Sequence, residues 1–197
     1  VYFAREMLGA KGKSFEGATV AISGSGNVAQ FACAKVIDLG GKPVTMSDSS
    51  GFIHDTDGID REKLAWIMDL KNNRRGRISE YAAEFSSATF TPSAPEPSSN
   101  GLWGVNVDVA LPCATQNEIN GAEAQMLVDN NVIAVAEGAN MPCTPEAVEV
   151  FHKNGIMFAP GKASNAGGVA TSGLEMSQNS LRLGWTREEV DAKLDSI

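Results

Sequence analysis

The 197-residue sequence has few cysteines, few histidines and a deficit of positive charge. Cys33, Cys113 and Cys143 are odd in number and widely spaced. A disulfide framework is therefore not expected, and a reducing, cytoplasmic setting fits better. His54 and His152 are the only histidines, and with the scattered cysteines they form no zinc pattern, so no metal is expected. Sixteen basic residues against 24 acidic ones give a formal charge of −8. That argues against nucleic acid or a membrane surface as partner, because both demand a basic footprint. An anionic cofactor stays compatible, since a helix N-terminus and one or two local cations suffice for a phosphate. No apolar run is long enough to span a bilayer, and no signal peptide is visible.

Glycine, by contrast, is abundant: 20 residues, above the usual ~7%. The glycines cluster instead of recurring every third position, which excludes collagen. With 43% apolar and 20% charged residues, the chain reads as a folded globular protein. Its length suits one well-buried domain, or one domain plus the start of another. Val1 lies in an apolar stretch and Ile197 in a helical pattern, so both ends read as cut points.

Apolar strand-like runs are expected at 18–23, 43–47, 107–111, 132–136 and 156–159. Helical periodicity falls at 1–10, 27–39, from Asp60 to about Leu70, near 78–85, at 121–130 and at 145–154. The last of these has Thr144 at its cap and Pro145 at its first position. Residues 92–101 (PSAPEPSSNG) are expected to form a surface loop. A Gly- and Ser-rich helix is expected at 166–182, and Thr186 with Glu189 supplies a capping box for a final helix. Strands alternating with helices at this spacing predict an α/β, Rossmann-like, doubly wound and mostly parallel sheet with helices on both faces. Residues 1–165 are expected to be the dinucleotide-binding domain. Residues 166–197 are expected to be helices leading back to a substrate domain absent from this chain.

Gly24-Ser25-Gly26-Asn27-Val28-Ala29 is a GxGxxA turn set inside a complete βαβ unit. Its first glycine allows the tight turn, its second admits a pyrophosphate to the backbone, and Ala29 keeps helix and strand close. Asp48 ends the next strand, where a carboxylate usually accepts from ribose hydroxyls and favours NAD. Ser47, Ser49 and Ser50 instead offer donors to a 2′-phosphate, and Lys71, Arg74, Arg75 or Arg77 can neutralise one. On balance NADP is favoured, with NAD left open.

Each later strand ends in a polar loop of small residues: 112–117 (PCATQN), 137–142 (EGANMP) and 160–169 (PGKASNAGGV). Ligands of open α/β sheets sit at this carboxyl edge. Thr115, Asn140 and Asn165 are therefore candidates for cofactor contact, since side-chain amides both donate and accept. Cys113 lacks a histidine base nearby and is read as packing. No residue is a convincing acid or base for dehydrogenation, Lys162 being the nearest. The chain reads as the cofactor half of an active site, without catalytic residues of its own.

The strings KSFEGATVAISGSGNVAQ (13–30), SDSSG (47–51), RRGRISEY (74–81), ALPCATQNEI (110–119), AVAEGANMPCTPEAVEVF (134–151) and FAPGKASNAGGVATSGLEMSQN (158–179) closely resemble the small hexameric, NADP-linked branch of the glutamate dehydrogenase family. The resemblance covers essentially the whole chain. It implies the C-terminal, cofactor-binding domain of a homohexameric oxidoreductase that interconverts L-glutamate with 2-oxoglutarate and ammonia. An N-terminal substrate domain of the same polypeptide would carry the catalytic lysine and aspartate, leaving this chain alone inactive. By the family pattern, Gly24, Ser25, Gly26, Asn27 and Val28 would form the pyrophosphate turn, and Asp48 and Ser49 would meet the adenosine ribose or its phosphate. Ala114 and Thr115 would line the cofactor, Asn140 would sit at the nicotinamide-side ribose, and Asn165 between nicotinamide and substrate. Val169 and Ser172 match the pocket for the substrate side chain. The family commonly carries a compact tryptophan loop before the CATQN string. Residues 92–106 are Ser- and Pro-rich here, with Trp103 late in them, and a surface variation is expected.

Two other readings stay open. A related dehydrogenase for leucine, valine or phenylalanine shares the architecture. A non-catalytic, nucleotide-binding regulatory module would account for the missing acid or base.

Overall fold

The computed structural model describes residues 1–94 and 101–197. Helix α1 (Tyr2–Gly9) leads into strand β1 (Thr19–Ile22), which the Gly24–Gly26 turn connects to α2 (Asn27–Asp38). The chain returns as β2 (Lys42–Pro43), giving a parallel βαβ unit. The run expected to be one strand at 43–47 breaks here. The ladder runs on through the Val44 N–H to the Val20 carbonyl (2.9 Å), and a side chain then takes over. The Thr45 hydroxyl accepts from the Ile22 N–H (2.9 Å) and donates to the Ile22 carbonyl (3.0 Å).

Beyond that point β3 (Thr45–Asp48) leaves the main sheet and pairs antiparallel with β4 (Gly51–Asp55). After α3 (Arg61–Asp69), a π-turn (Leu70–Arg74), a 3-10 turn (Ile78–Glu80) and α4 (Tyr81–Glu84), β5 (Ala88–Pro92) pairs antiparallel with β4. This three-stranded antiparallel sheet was not expected from the sequence, because 51–55 and 88–92 are too short and mixed to show period-two alternation. Asp55 pins it in place: its fully buried carboxylate accepts from Lys63 Nζ of α3 (2.8 Å) and from the Tyr81 hydroxyl of α4 (2.7 Å).

The second half alternates regularly: β6 (Val109–Leu111), α5 (Gly121–Asp129), β7 (Ala134–Ala136), α6 (Pro145–Lys153) and β8 (Met157–Ala159). The main sheet is parallel throughout, in the order β2-β1-β6-β7-β8. Alternate residues feed opposite faces. Val20, Ile22, Val109, Leu111, Ala134 and Ala136 pack under α1, α2 and α3, while Ala21, Ala110 and Val135 pack under α5 and α6. Burial on both faces explains the continuous apolar runs. The doubly wound α/β fold is therefore as expected, with the antiparallel sheet added at one edge. Of the expected 92–101 loop, residues 95–100 lie outside the described residues. Trp103 is not a surface residue, being 1% exposed in a 3-10 turn (Leu102–Gly104) against the second core.

Three helices complete the chain: α7 (Gly161–Ser164), α8 (Gly167–Leu181) and α9 (Arg187–Asp195), the last opened by the Thr186/Glu189 capping box. Neither α8 nor α9 buries a residue fully. Helix α9 returns to the beginning of the chain, where Asp191 pairs with Lys35 of α2 (2.7 Å) and Asp195 with Arg5 of α1 (2.6 Å).

Candidate functional site

At the end of β1, Gly24 adopts φ +79. A Cβ there would stand 3.0 Å from the Cys113 carbonyl oxygen and 3.1 Å from Ala114 Cα, so glycine alone fits. Gly26 differs: its backbone is extended, and a Cβ would meet nothing within 4 Å. It caps α2 without any side-chain acceptor on the first-turn amides. Those orphan N–H groups and the helix dipole face open ground, the arrangement that attracts a phosphate. Asn27 and Val28 are exposed beside it, while Ala29 is fully buried against the strand. Gln30, 1% exposed, closes the turn by donating to the Ser25 carbonyl (2.8 Å). Its amide also pairs reciprocally with Asn72 of the π-turn (3.2 and 3.1 Å).

The carboxylate of Asp48 has both oxygens engaged within the protein. Oδ1 accepts from the Ser50 N–H (2.9 Å) and hydroxyl (2.6 Å); Oδ2 accepts from Lys71 Nζ (2.8 Å) and the Ile78 N–H (2.9 Å). Burial pushes this carboxyl up, but Lys71, Ser50 and Ile78 outweigh it and hold it down at about 2. Beside it Arg77 donates to the Ser49 hydroxyl (2.7 Å). The structure thus brings Lys71 and Arg77 to the strand end. Arg74 turns elsewhere, pairing with Asp69 (2.9 Å) over the Trp66 ring (4.6 Å). The basic segment bends sharply at Arg75, a non-glycine residue at φ +58 of the kind that clusters at ligand-holding segments.

Adjacent strand ends are stitched to one another. The Ser23 hydroxyl accepts from the Cys113 N–H (2.8 Å), joining β1 to β6. Glu118 organises the next loop by accepting from the N–H groups of Ala114 (3.0 Å) and Thr115 (3.2 Å). Burial raises its carboxyl above the usual value despite these donors. The Gly138 and Ala139 N–H groups both donate to the Pro112 carbonyl (2.9 Å each), joining β6 to β7. Asn117 and Met141, both left-handed, are linked by an N–H to carbonyl bond of 3.0 Å. Finally Asn165 Nδ2 donates to Asn140 Oδ1 (2.8 Å) and to the Ala139 carbonyl (3.2 Å), joining β7 to β8.

The predicted residues therefore fall into three groups. Gly24 to Val28, Ala114, Thr115, Asn140 and Asn165 form one ledge along the carboxyl ends of β1, β6, β7 and β8. Asp48 and Ser49 end the neighbouring β3. A cavity of about 690 Å³ opens in front of Asn27, Val28, Gly138 and Asn165 and continues to Trp185 and Leu194. Val169 and Ser172 lie on exposed faces of α8, Val169 78% exposed and Ser172 donating to the Gly168 carbonyl of its own helix (3.2 Å). The structure does not join them to the ledge. Sequence reasoning missed Gln30, Glu118 and the task of Glu137. Each is a polar residue beside a strand-end loop of small residues, and that position was the available signal.

The three cysteines are free and buried. Burial pushes the Cys113 thiol up to about 12, and burial together with Glu137 raises that of Cys143, so both remain protonated. Among the described residues no three His, Cys, Asp or Glu side chains converge as a metal site.

The fold is a doubly wound α/β domain, a class whose ligands sit at the carboxyl ends of the strands. The chain belongs to the glutamate, leucine, phenylalanine and valine dehydrogenase family, whose model matches residues 1–197. It is 59% identical over 197 residues to a protein of Xylanibacter ruminicola named NAD(P)-specific glutamate dehydrogenase, and 52% identical over 197 residues to the NADP-specific glutamate dehydrogenase of Escherichia coli K12. All of the chain is matched in both cases, against 43% and 42% of those relatives. The solved glutamate dehydrogenase of Plasmodium falciparum superposes with a TM-score of 0.92 at 44% identity, over 99% of this chain and 40% of that one. The chain thus spans less than half the length of the relatives it matches. No helix among the described residues is long and apolar enough to cross a membrane.

Proposed function

We propose that this chain is the coenzyme-binding part of a cytoplasmic enzyme that interconverts L-glutamate with 2-oxoglutarate and ammonia, using NADP(H). In this reading residues 1–165 hold the coenzyme. Residues 166–197 lead back to a substrate domain that carries the acid and base, and the whole polypeptide assembles as a homohexamer. The bound coenzyme supplies the hydride acceptor and donor at its nicotinamide ring. This chain's own residues bind and orient it: the α2 amides and the open ground at Gly26 suit a pyrophosphate, and Asn140 and Asn165 suit the nicotinamide end. Val169 and Ser172 would face the substrate side chain once the substrate domain is in place.

The observation that carries the reading is the ledge itself, four adjacent strand ends welded by hydrogen bonds in front of an uncapped helix. Coenzyme choice follows from Asp48. With both oxygens filled and Lys71 against it, it offers little to a ribose 2′-hydroxyl and does not present a free negative charge to a phosphate. Arg77 and Ser49 stand ready as donors. Calorimetric titration with NADPH and NADH tests this: NADPH should bind at least about tenfold more tightly, the worth of one charge-assisted contact. Equal affinities, or tighter NADH, would reject the NADP assignment. Glutamate-dependent reduction of NADP by the intact protein tests the activity, and turnover of leucine or phenylalanine with glutamate untouched would reject the substrate assignment.

A further inference from the structure

The loop after β7 contains a carboxylate that the coenzyme site as described does not use. Glu137 is only 5% exposed, and among the described residues no lysine, arginine or histidine lies within ion-pair distance of it. Burying such a group without a cation is costly, so it persists where it organises something. Its partners are backbone groups of two different loops. Oε1 accepts from the Cys143 N–H (3.2 Å), and Oε2 accepts from the Gly161 N–H (2.6 Å). The Ser164 hydroxyl also donates to the Glu137 carbonyl.

These contacts converge on the arm that bears Asn165. Helix α7 is a single turn that begins at Gly161 and ends on Asn165, whose N–H donates to the Gly161 carbonyl (3.0 Å). A Cβ on Gly161 would lie 3.0 Å from the Ala139 carbonyl oxygen and 3.3 Å from both Glu137 Oε2 and Asn165 Nδ2. Glu137, Asn165 and the Asn140 loop are therefore packed closely around one point, where a Cβ would be crowded. The grip on Gly161 fixes the start of the turn, and the turn fixes Asn165 against Asn140. On the other side, the grip on Cys143 holds the end of the loop that carries Asn140.

We propose that Glu137 is a positioning residue that aligns Asn140 and Asn165 for the nicotinamide half of the coenzyme without touching it. The proposal rests on the reading of the ledge as a coenzyme site. A carboxylate suits the task because both of its oxygens accept, one for each loop. Glutamine in its place offers one acceptor and turns an NH2 group against a backbone N–H.

Calorimetry on the intact protein with NADPH and with 2′,5′-ADP, which holds the adenine half and its 2′-phosphate but no nicotinamide, separates the possibilities. In Glu137→Gln, NADPH affinity should fall about tenfold, the loss of one hydrogen bond to a charged group. Affinity for 2′,5′-ADP should stay within about twofold. Equal weakening of both ligands would reassign Glu137 to general support of the fold, and no weakening of either would remove its role; both outcomes overturn the proposal. If E137Q does not fold, Ser164→Ala carries the same comparison through the hydroxyl that clasps the Glu137 carbonyl, with about a threefold loss for NADPH alone. Again, equal loss or no loss overturns it. An unmutated protein that binds neither ligand would refute the coenzyme reading itself, and the proposal with it.

Discussion

At the scale of single residues, the two glycines of the GxGxxA turn do opposite jobs, and the structure separates them. Gly24 is required by the protein: its φ is positive and its missing Cβ makes room for the Cys113 carbonyl. Gly26 is extended and faces empty space, so the fold has no need of glycine there. A side chain at 26 fills only open space in front of α2. Gly26→Leu should therefore fold with a stability within about 1 kcal/mol of the original protein. Its affinity for NADPH should nevertheless fall by more than about tenfold, through steric exclusion of the pyrophosphate. A thermal melt with a parallel titration checks both halves. A folded G26L protein with full affinity would remove this turn from the site.

At the scale of elements, the link between β3 and the basic segment after α3 is a single carboxylate. It consists of the Asp48 carboxylate gripping Lys71 and the Ile78 N–H. The carboxyl is held at about 2 in the folded protein against 3.8 for a free aspartate. A folded value below the unfolded one means that its stabilisation is complete above about pH 4 and lost as the pH falls through about 2. Near neutrality the contribution is about 2 kcal/mol. Asp48→Asn should cost about that much at pH 7 by denaturant melts, and the gap from the original protein should close as the pH falls below about 4. A gap that stays constant with pH would mean that the carboxylate is not the linking group. Such element-level links are where sequence legibility ended. The parallel strands could be read because they are buried on both faces and therefore continuously apolar. The helices could be read from caps such as Thr144-Pro145 and Thr186/Glu189. The β3-β4-β5 sheet was hidden because its departure depends on the Thr45 hydroxyl standing in for backbone groups against Ile22, a tertiary exchange with no periodic signature. The ledge was legible as three small polar loops. The grips of Gln30, Glu118 and Glu137 were not, since a glutamine or glutamate beside a loop looks the same in the sequence whether it faces solvent or backbone.

At the scale of the whole molecule, the chain has a firm body and a loosely seated end. The body is the five-stranded sheet with fully buried residues on both faces. The end is α8 and α9, which bury no residue fully. What seats α9 is chiefly two partly exposed ion pairs, Lys35 with Asp191 and Arg5 with Asp195. Between its Val190 and Leu194 and the Phe31 and Ala32 of α2 lies the open cavity, not a packed interface. Pairs of that kind are worth about 0.2–1 kcal/mol each and weaken with salt, whereas the central strands open only on global unfolding. Hydrogen exchange should therefore show α9 amides exchanging orders of magnitude faster than those of β1, β6 and β7. Raising salt to about 0.5 M should widen the difference by speeding α9 alone. Uniform protection across the chain, or salt-insensitive α9 amides, would show that apolar packing holds the helix. The predicted looseness matters for function because this cavity begins at Asn27, Gly138 and Asn165. A helix that moves away from α2 widens the mouth of this cavity while leaving the welded ledge where it is.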